Sequence, residues 1–160
     1  MNVPLLEDLY RRVYGYHLRL AAGDRSVAEE LSQETLLRVI RSRDGLRDPD
    51  RLVTWALRIA TNVRADHFRR RSGVGLEAGI GELRPAPGAD TREEASGALR
   101  HLRTLPEDYR AAITLRYFED MSYEEMSRIL ELPVGTLKSH VARGLRLIRK
   151  RMEDEGHGLP

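Results

Sequence analysis

The side chains best placed to do chemistry in this sequence are cations and amides recurring at helical spacing. Residues 132–152 hold six basic side chains and no acidic one, net +6, and include Thr136, Lys138, Ser139, His140, Arg143 and Arg146. A guanidinium such as Arg143 can grip a guanine edge through two parallel hydrogen bonds, and an ammonium such as Lys138 suits a phosphate. Arg149, Lys150 and Arg151 would extend the electrostatic contact. An earlier block, residues 41–71, has nine basic and four acidic side chains, net +5. It contains Trp55, Arg58, Asn62, Arg64, His67 and the triplet Arg69-Arg70-Arg71. Residues 107–131 carry three basic and seven acidic groups, net −4. Two basic blocks separated by acidic ones make two electrostatic footprints for a polyanion, set against the plainer reading of two solvated helix faces.

A different chemistry belongs to Glu30, Gln33, Glu34 and Leu37. Their spacing of i, i+3, i+4 and i+7 puts them on one helix face. Two carboxylates, an amide and an apolar anchor can pair with basic side chains on a partner helix, or can simply form a solvated acidic face. Catalysis finds no support. His17, His67, His101, His140 and His157 are scattered without metal-ligand spacing, and the chain has no cysteine. No Ser-His-Asp or paired-carboxylate arrangement is legible, so neither an active site, a metal nor a cofactor is expected.

These residues need helices to position them. Leu6, Leu9, Val13, Tyr16 and Leu20 recur at three and four, and Gly23-Asp24 ends that stripe. Ser26 with Glu29 reads as a capping box for a second helix burying Val27, Leu31, Leu36, Val39 and Ile40 and ending near Gly45. Pro49 opens a third, through Leu52, Val53, Ala56, Ile59, Ala60 and Val63 to Arg71, with a break expected at Asn62. Residues 72–97 then combine six glycines with Pro85 and Pro87, the composition of a flexible linker. Beyond it a helix is expected over 92–104, and another from Pro106 with Tyr109, Ala112, Ile113 and Tyr117 inward. Ser122 and Glu125 form a capping box for a short helix with Met126, Ile129 and Leu130 inward. A tight Glu131-Leu132-Pro133 corner leads to a last helix reaching about Met152, its buried stripe Leu137, Val141, Leu145, Ile148 and Met152. Thr136, Lys138, Ser139, His140 and Arg143 then point outward. Short helix, tight turn, longer helix is the geometry of a DNA-binding helix-turn-helix. The fold class is all-α: two small helical domains joined by a Gly/Pro-rich linker.

With 160 residues, 41% of them hydrophobic, the chain can build one compact domain or two small ones. No apolar run is long enough to span a membrane, and the first residues lack the pattern of a signal peptide, so a cytoplasmic protein is expected.

Several blocks resemble one family. Leu105-Pro106-Glu107-Asp108-Tyr109-Arg110, Leu115-Arg116-Tyr117, Ser122-Tyr123-Glu124-Glu125 and Pro133-Val134-Gly135-Thr136-Leu137-Lys138-Ser139 are similar to region 4 of bacterial RNA polymerase sigma factors. The extracytoplasmic-function (ECF) group matches best. Ala28-Glu29-Glu30-Leu31-Ser32-Gln33-Glu34-Thr35 and Thr54-Trp55-Ala56-Leu57-Arg58-Ile59-Ala60-Thr61-Asn62 resemble region 2 of the same family, in the family's order. The resemblance implies a promoter-specificity subunit without catalysis of its own. Region 2 would span residues 1–71, the linker 72–97 and region 4 residues 98–155. Glu30, Gln33, Glu34 and Leu37 would dock on the clamp coiled coil of the polymerase largest subunit, and region 4 on its flap. Trp55, Arg58, Asn62, Arg64, His67, Arg69 and Arg70 would melt and read the −10 element, where a flipped base costs a few kcal/mol to extract. Asn62 can hydrogen-bond a base edge and the arginines can neutralise separated strands, whereas a lone indole such as Trp55 in a small bundle is more often a core residue. Thr136, Lys138, Ser139, His140, Arg143 and Arg146 would read the −35 element. Family members are commonly held by an anti-sigma protein, which joins core polymerase and promoter DNA among the expected partners. Glu30 stands where many members carry Asp, Ile40 where an aromatic is common, and His140 and Ala142 where larger or more basic residues are common. A stand-alone helix-turn-helix regulator is the competing reading; it accounts for residues 105–152 but leaves the Glu30–Glu34 face and the Trp55–Arg71 block unexplained.

Overall fold

Three helices come first in the chain, and the first two are started by a side chain that satisfies an otherwise orphaned backbone N–H. A computed structural model describes residues 2–72 and 97–156. Helix α1 (Val3–Leu20) begins where the Asn2 side chain accepts from the Leu5 N–H at 2.9 Å, with Pro4 in the first turn. It stops at two consecutive left-handed residues, Ala22 (φ 54°) and Gly23 (φ 87°), which turn the chain toward α2 (Arg25–Arg41). Asp24, not Ser26, caps α2, accepting from the Val27 N–H at 3.2 Å, because the reversed turn delivers Asp24 to the helix start. Two 3-10 turns, Arg43–Gly45 and Pro49–Arg51, lead into α3 (Leu52–Ser72), which runs through Asn62 without a break.

The inner faces of α1 and α3 fit the expected periodicity: Leu9, Val13, Tyr16, Leu20, Leu52, Ala56, Leu57 and Ala60 are buried together with Val39 of α2. Ile40, expected inside, is 42% exposed, since the α2 stripe passes through Ala28, Leu31, Thr35 and Val39 instead.

Among the described residues four further helices follow: α4 (Gly97–Leu102), α5 (Glu107–Ile113), α6 (Tyr123–Leu130) and α7 (Val134–Asp154). Helix α5 continues into a π-helical turn, Thr114–Phe118, closed by the Glu119 N–H on the Thr114 carbonyl at 3.1 Å. The wider turn shifts the register, so Tyr117, expected inside, is 58% exposed. The capping box of α6 forms as its sequence dictates: Glu125 N–H donates to Ser122 Oγ at 3.1 Å, and Ser122 N–H donates to Glu125 Oε1 at 3.2 Å. Glu131 then adopts a left-handed conformation (φ 56°), and Pro133 caps α7.

The stripe of α7 also differs from expectation. Leu137, Val141, Gly144 and Ile148 are buried, while Leu145 is 36% exposed. Gly144 explains the rotation: a Cβ there would lie 2.5 Å from Ile113 Cδ1 and 3.3 Å from Tyr109 Cβ, so the bare backbone lets α7 press against α5. Among the described residues there is no strand, and no helix is long and apolar enough to cross a membrane. The Gly/Pro-rich stretch 73–96 lies outside the described residues, as does the start of the helix expected over 92–104.

Candidate nucleic-acid and polymerase interface

On α2, Glu30, Gln33, Glu34 and Leu37 emerge together along one rim of an open groove of roughly 410 Å³, faced across it by His67, Arg70 and Arg71 of α3. Leu37 is 46% exposed, an apolar anchor without cover. Its acidic neighbours are engaged from within the chain. Arg38 donates from Nε to Glu34 Oε1 at 3.0 Å and from Nη1 to Asp66 Oδ2 at 3.1 Å, hydrogen bonds that push its pKa still higher. Glu30 Oε1 lies 3.8 Å from His67 Nδ1. Burial lowers the His67 pKa, and Glu30 opposes that shift only in part. The groove therefore sets ion-paired carboxylates and the exposed Leu37 beside Arg38, Arg70 and Arg71, a mixed-charge surface with an apolar edge.

The set expected at the −10 element divides between two faces of α3. Trp55, Arg58, Asn62 and Arg69 repeat at three, four and seven and so share a stripe. Trp55 is half-buried, packed against the main core. Asn62, Arg69 and Arg70 are exposed, with Arg69 Nη1 3.5 Å from Asp66 Oδ1. Arg58 Nη2 lies 2.9 Å from Glu131 Oε1. His67 and Arg70 instead border the α2 groove. Arg64 stands apart. It is buried, donating from Nε to Glu107 Oε1 at 2.6 Å and from Nη2 to the Leu20 carbonyl at 3.0 Å, with its guanidinium 4.6 Å from the Phe68 ring centroid.

On α7, Lys138, Ser139, Arg143 and Arg146 are exposed and Thr136 is half-exposed. Lys138 Nζ sits 5.6 Å from the Tyr123 ring centroid, which also carries Arg116 at 4.7 Å. His140, expected outward, leans inward against Tyr109 with centroids 5.4 Å apart, because its position falls beside the Gly144 contact with α5. The polar N-terminal half of α7 can enter a major groove with α6 lying across it, the disposition of a helix-turn-helix.

Comparison with known proteins follows the same division. Residues 5–74 match the family model for Sigma-70 region 2, and residues 98–148 match that for Sigma-70, region 4. The chain is 30% identical to the ECF RNA polymerase sigma-E factor of Escherichia coli K12 over 78% of its own length and 73% of that protein. The chain belongs to the sigma-70 family, ECF group. It is also 33% identical to the ECF RNA polymerase sigma factor SigE of Mycolicibacterium smegmatis, across 92% of this chain but only 61% of that relative's length. SigW of Bacillus subtilis is 29% identical, with 92% and 87% covered. The fold is shared with the sigma factor RpoE of Bartonella quintana, solved with the anti-sigma factor NepR, at a TM-score of 0.73, 24% identity and coverage of 94% and 95%. Sigma factors are DNA-binding initiation factors and not enzymes.

Three groups that the sequence alone did not single out join region 2 to region 4. Arg110, fully buried on α5, donates to the carbonyls of Leu20 at 2.9 Å and Leu105 at 2.7 Å; burial lowers its pKa to about 10, still cationic at neutral pH. Buried Glu119 accepts from Arg12 Nη2 at 3.1 Å, and burial raises its carboxyl pKa despite that partner. Thr54 Oγ1 donates to Glu125 Oε2 at 3.1 Å. None of the three pairs a charge of residues 41–71 with one of residues 107–131, so the opposite charge of those blocks did not mark them.

Proposed function

We propose that this chain is a promoter-specificity subunit that acts in the cytoplasm by binding core RNA polymerase and directing initiation. Residues 1–71 would dock on the clamp coiled coil of the largest subunit through Glu30, Gln33, Glu34 and Leu37, and engage the −10 element through Trp55, Arg58, Asn62, Arg69 and Arg70. Arg64 and His67 would support this surface from behind. Residues 98–155 would contact the flap and read the −35 element through Thr136, Lys138, Ser139, Arg143 and Arg146, with His140 positioning α7 against α5. Residues 72–97 would tether the two. An anti-sigma protein is the expected inhibitor, in keeping with the complex in which the RpoE fold was solved.

The observation that carries this reading is the α2 groove, which the four docking residues line together with Leu37 exposed at its edge. A stand-alone operator-binding protein has no use for such a groove. Run-off transcription from genomic promoter fragments, using core enzyme with and without the chain, tests it. Specific transcripts are expected only with both. Tight operator binding without polymerase, and no transcript with it, would replace initiation by the regulator reading.

A further inference from the structure

Helix α7 turns its free side to solvent as two parallel rows, each repeating at four, three and four residues. Burial of Leu137, Val141, Gly144 and Ile148 fixes its rotation, and the bare backbone at Gly144, seated against Ile113 and Tyr109, locks it. One row, Ser139, Arg143, Arg146 and Lys150, is exposed and polar throughout. The other, Lys138, Ala142, Leu145 and Arg149, is exposed as well, but two apolar side chains interrupt its charge. Leu145 is 36% exposed. Ala142 offers only a methyl group, with Lys138 one turn before it and Arg146 one turn after.

The proposed promoter role uses the cations and polar groups of α7 and leaves this apolar pair without a task. A helix lying in a major groove meets base edges along the floor and phosphates along the walls. Lys138 and Arg149, at the two ends of the row, suit the phosphates. Between them the apolar pair calls for an apolar partner, and the 5-methyl of thymine is the apolar group that base edges present in that groove. Ala142 is also short enough to let the helix backbone come close to a base edge.

We infer that Ala142 is a specificity-determining residue whose methyl packs on the 5-methyl of one thymine in the −35 element, with Leu145 covering the contact from water. The inference rests on the proposed reading of the −35 element by α7 and adds a base that it selects. Arg143 follows on the neighbouring row, so the thymine adjoins the base pair that Arg143 meets. Cytosine in the same place is rejected, because it lacks the methyl and its amino donor would face a side chain that cannot accept.

Deoxyuridine keeps every hydrogen-bonding group of thymine and lacks only the 5-methyl, so it isolates the contact. Promoter duplexes with each −35 thymine replaced in turn are competed for the chain assembled with core polymerase. At one position the wild-type complex should favour thymine over deoxyuridine about fourfold, the effect of burying one methyl group. Ala142→Gly should bring that ratio to about one, and because the ratio is taken within a single variant, any loss of folded chain cancels. Leu145→Ser should reduce the ratio too, whereas Arg149→Ala should weaken both duplexes alike and preserve it. A ratio of about one at every −35 thymine in wild type, or the wild-type ratio surviving Ala142→Gly, would overturn the assignment. So would a ratio abolished by Arg149→Ala, which would tie it to the seating of the whole helix. A wild-type complex that prefers no promoter duplex over random sequence would instead sink the initiation reading itself.

Discussion

His17 is completely buried between α1 and α2, and its hydrogen bonding fixes its protonation. Thr35 Oγ1 spends its proton on the Leu31 carbonyl at 2.7 Å, so the His17 Nε2–H at 3.0 Å must donate to it, leaving Nδ1 unpartnered. Burial first, and the charge of Arg64 second, lower the pKa of this ring to about 3. The unfolded chain takes up the proton near the ordinary value of about 6.5, before the folded chain can. Stability from neutral His17 is therefore complete above that value and lost as pH falls toward 3. Denaturant unfolding at stepwise lower pH should show a loss approaching about 1.4 kcal/mol per pH unit from this residue, and His17→Gln should flatten the slope. An unchanged slope in the variant would assign the acid sensitivity elsewhere. Arg143 poses the second residue-scale question, since its exposed guanidinium can meet a base or a phosphate. For a base contact, Arg143→Ala should cost about 1–3 kcal/mol of promoter binding, concentrated at one −35 position in a competition series. A uniform loss across sequences would make it a phosphate contact.

At the scale of helices, local chemistry was legible and helix-to-helix geometry was not. The Ser122–Glu125 box and the rim of Glu30, Gln33, Glu34 and Leu37 follow from spacings within a single turn or two, which the backbone alone enforces. Tyr117, Leu145 and His140 were misplaced because their orientation depends on two non-local features, the π-turn at Thr114–Phe118 and the close approach at Gly144. Arg58 and Arg64 looked like equivalent cations in sequence; only the packing of α5 against α1 and α3 separates a rim residue from a buried one. The α2 rim itself permits a clean test. Leu37 is exposed and packs on nothing in the core, so Leu37→Asp should leave thermal stability within about 0.5 kcal/mol of wild type. Capture by core polymerase should nevertheless weaken about tenfold, as for an apolar interface anchor replaced by a charge. A variant that melts early, or binds core unchanged, would remove the anchor role.

Across the described residues, the first three helices share one buried cluster with α5, α6 and α7, from Leu9, Val13 and Ala60 to Leu115, Met126 and Val141. Two domains with a mobile boundary would melt separately; two that share a core and buried arginines should not. Arg110 adds to the coupling, because detaching α5 from α1 strips its buried guanidinium of the Leu20 carbonyl and leaves it only that of Leu105. Trp55, the sole tryptophan, lies in the first half and reports its packing, whereas far-UV circular dichroism reports every helix. The two signals should trace one coincident thermal transition, and Arg110→Ala should lower that transition as a whole, by about 1–3 kcal/mol, rather than split it. Separate midpoints in the wild-type chain would show that these contacts contribute too little to hold the halves together.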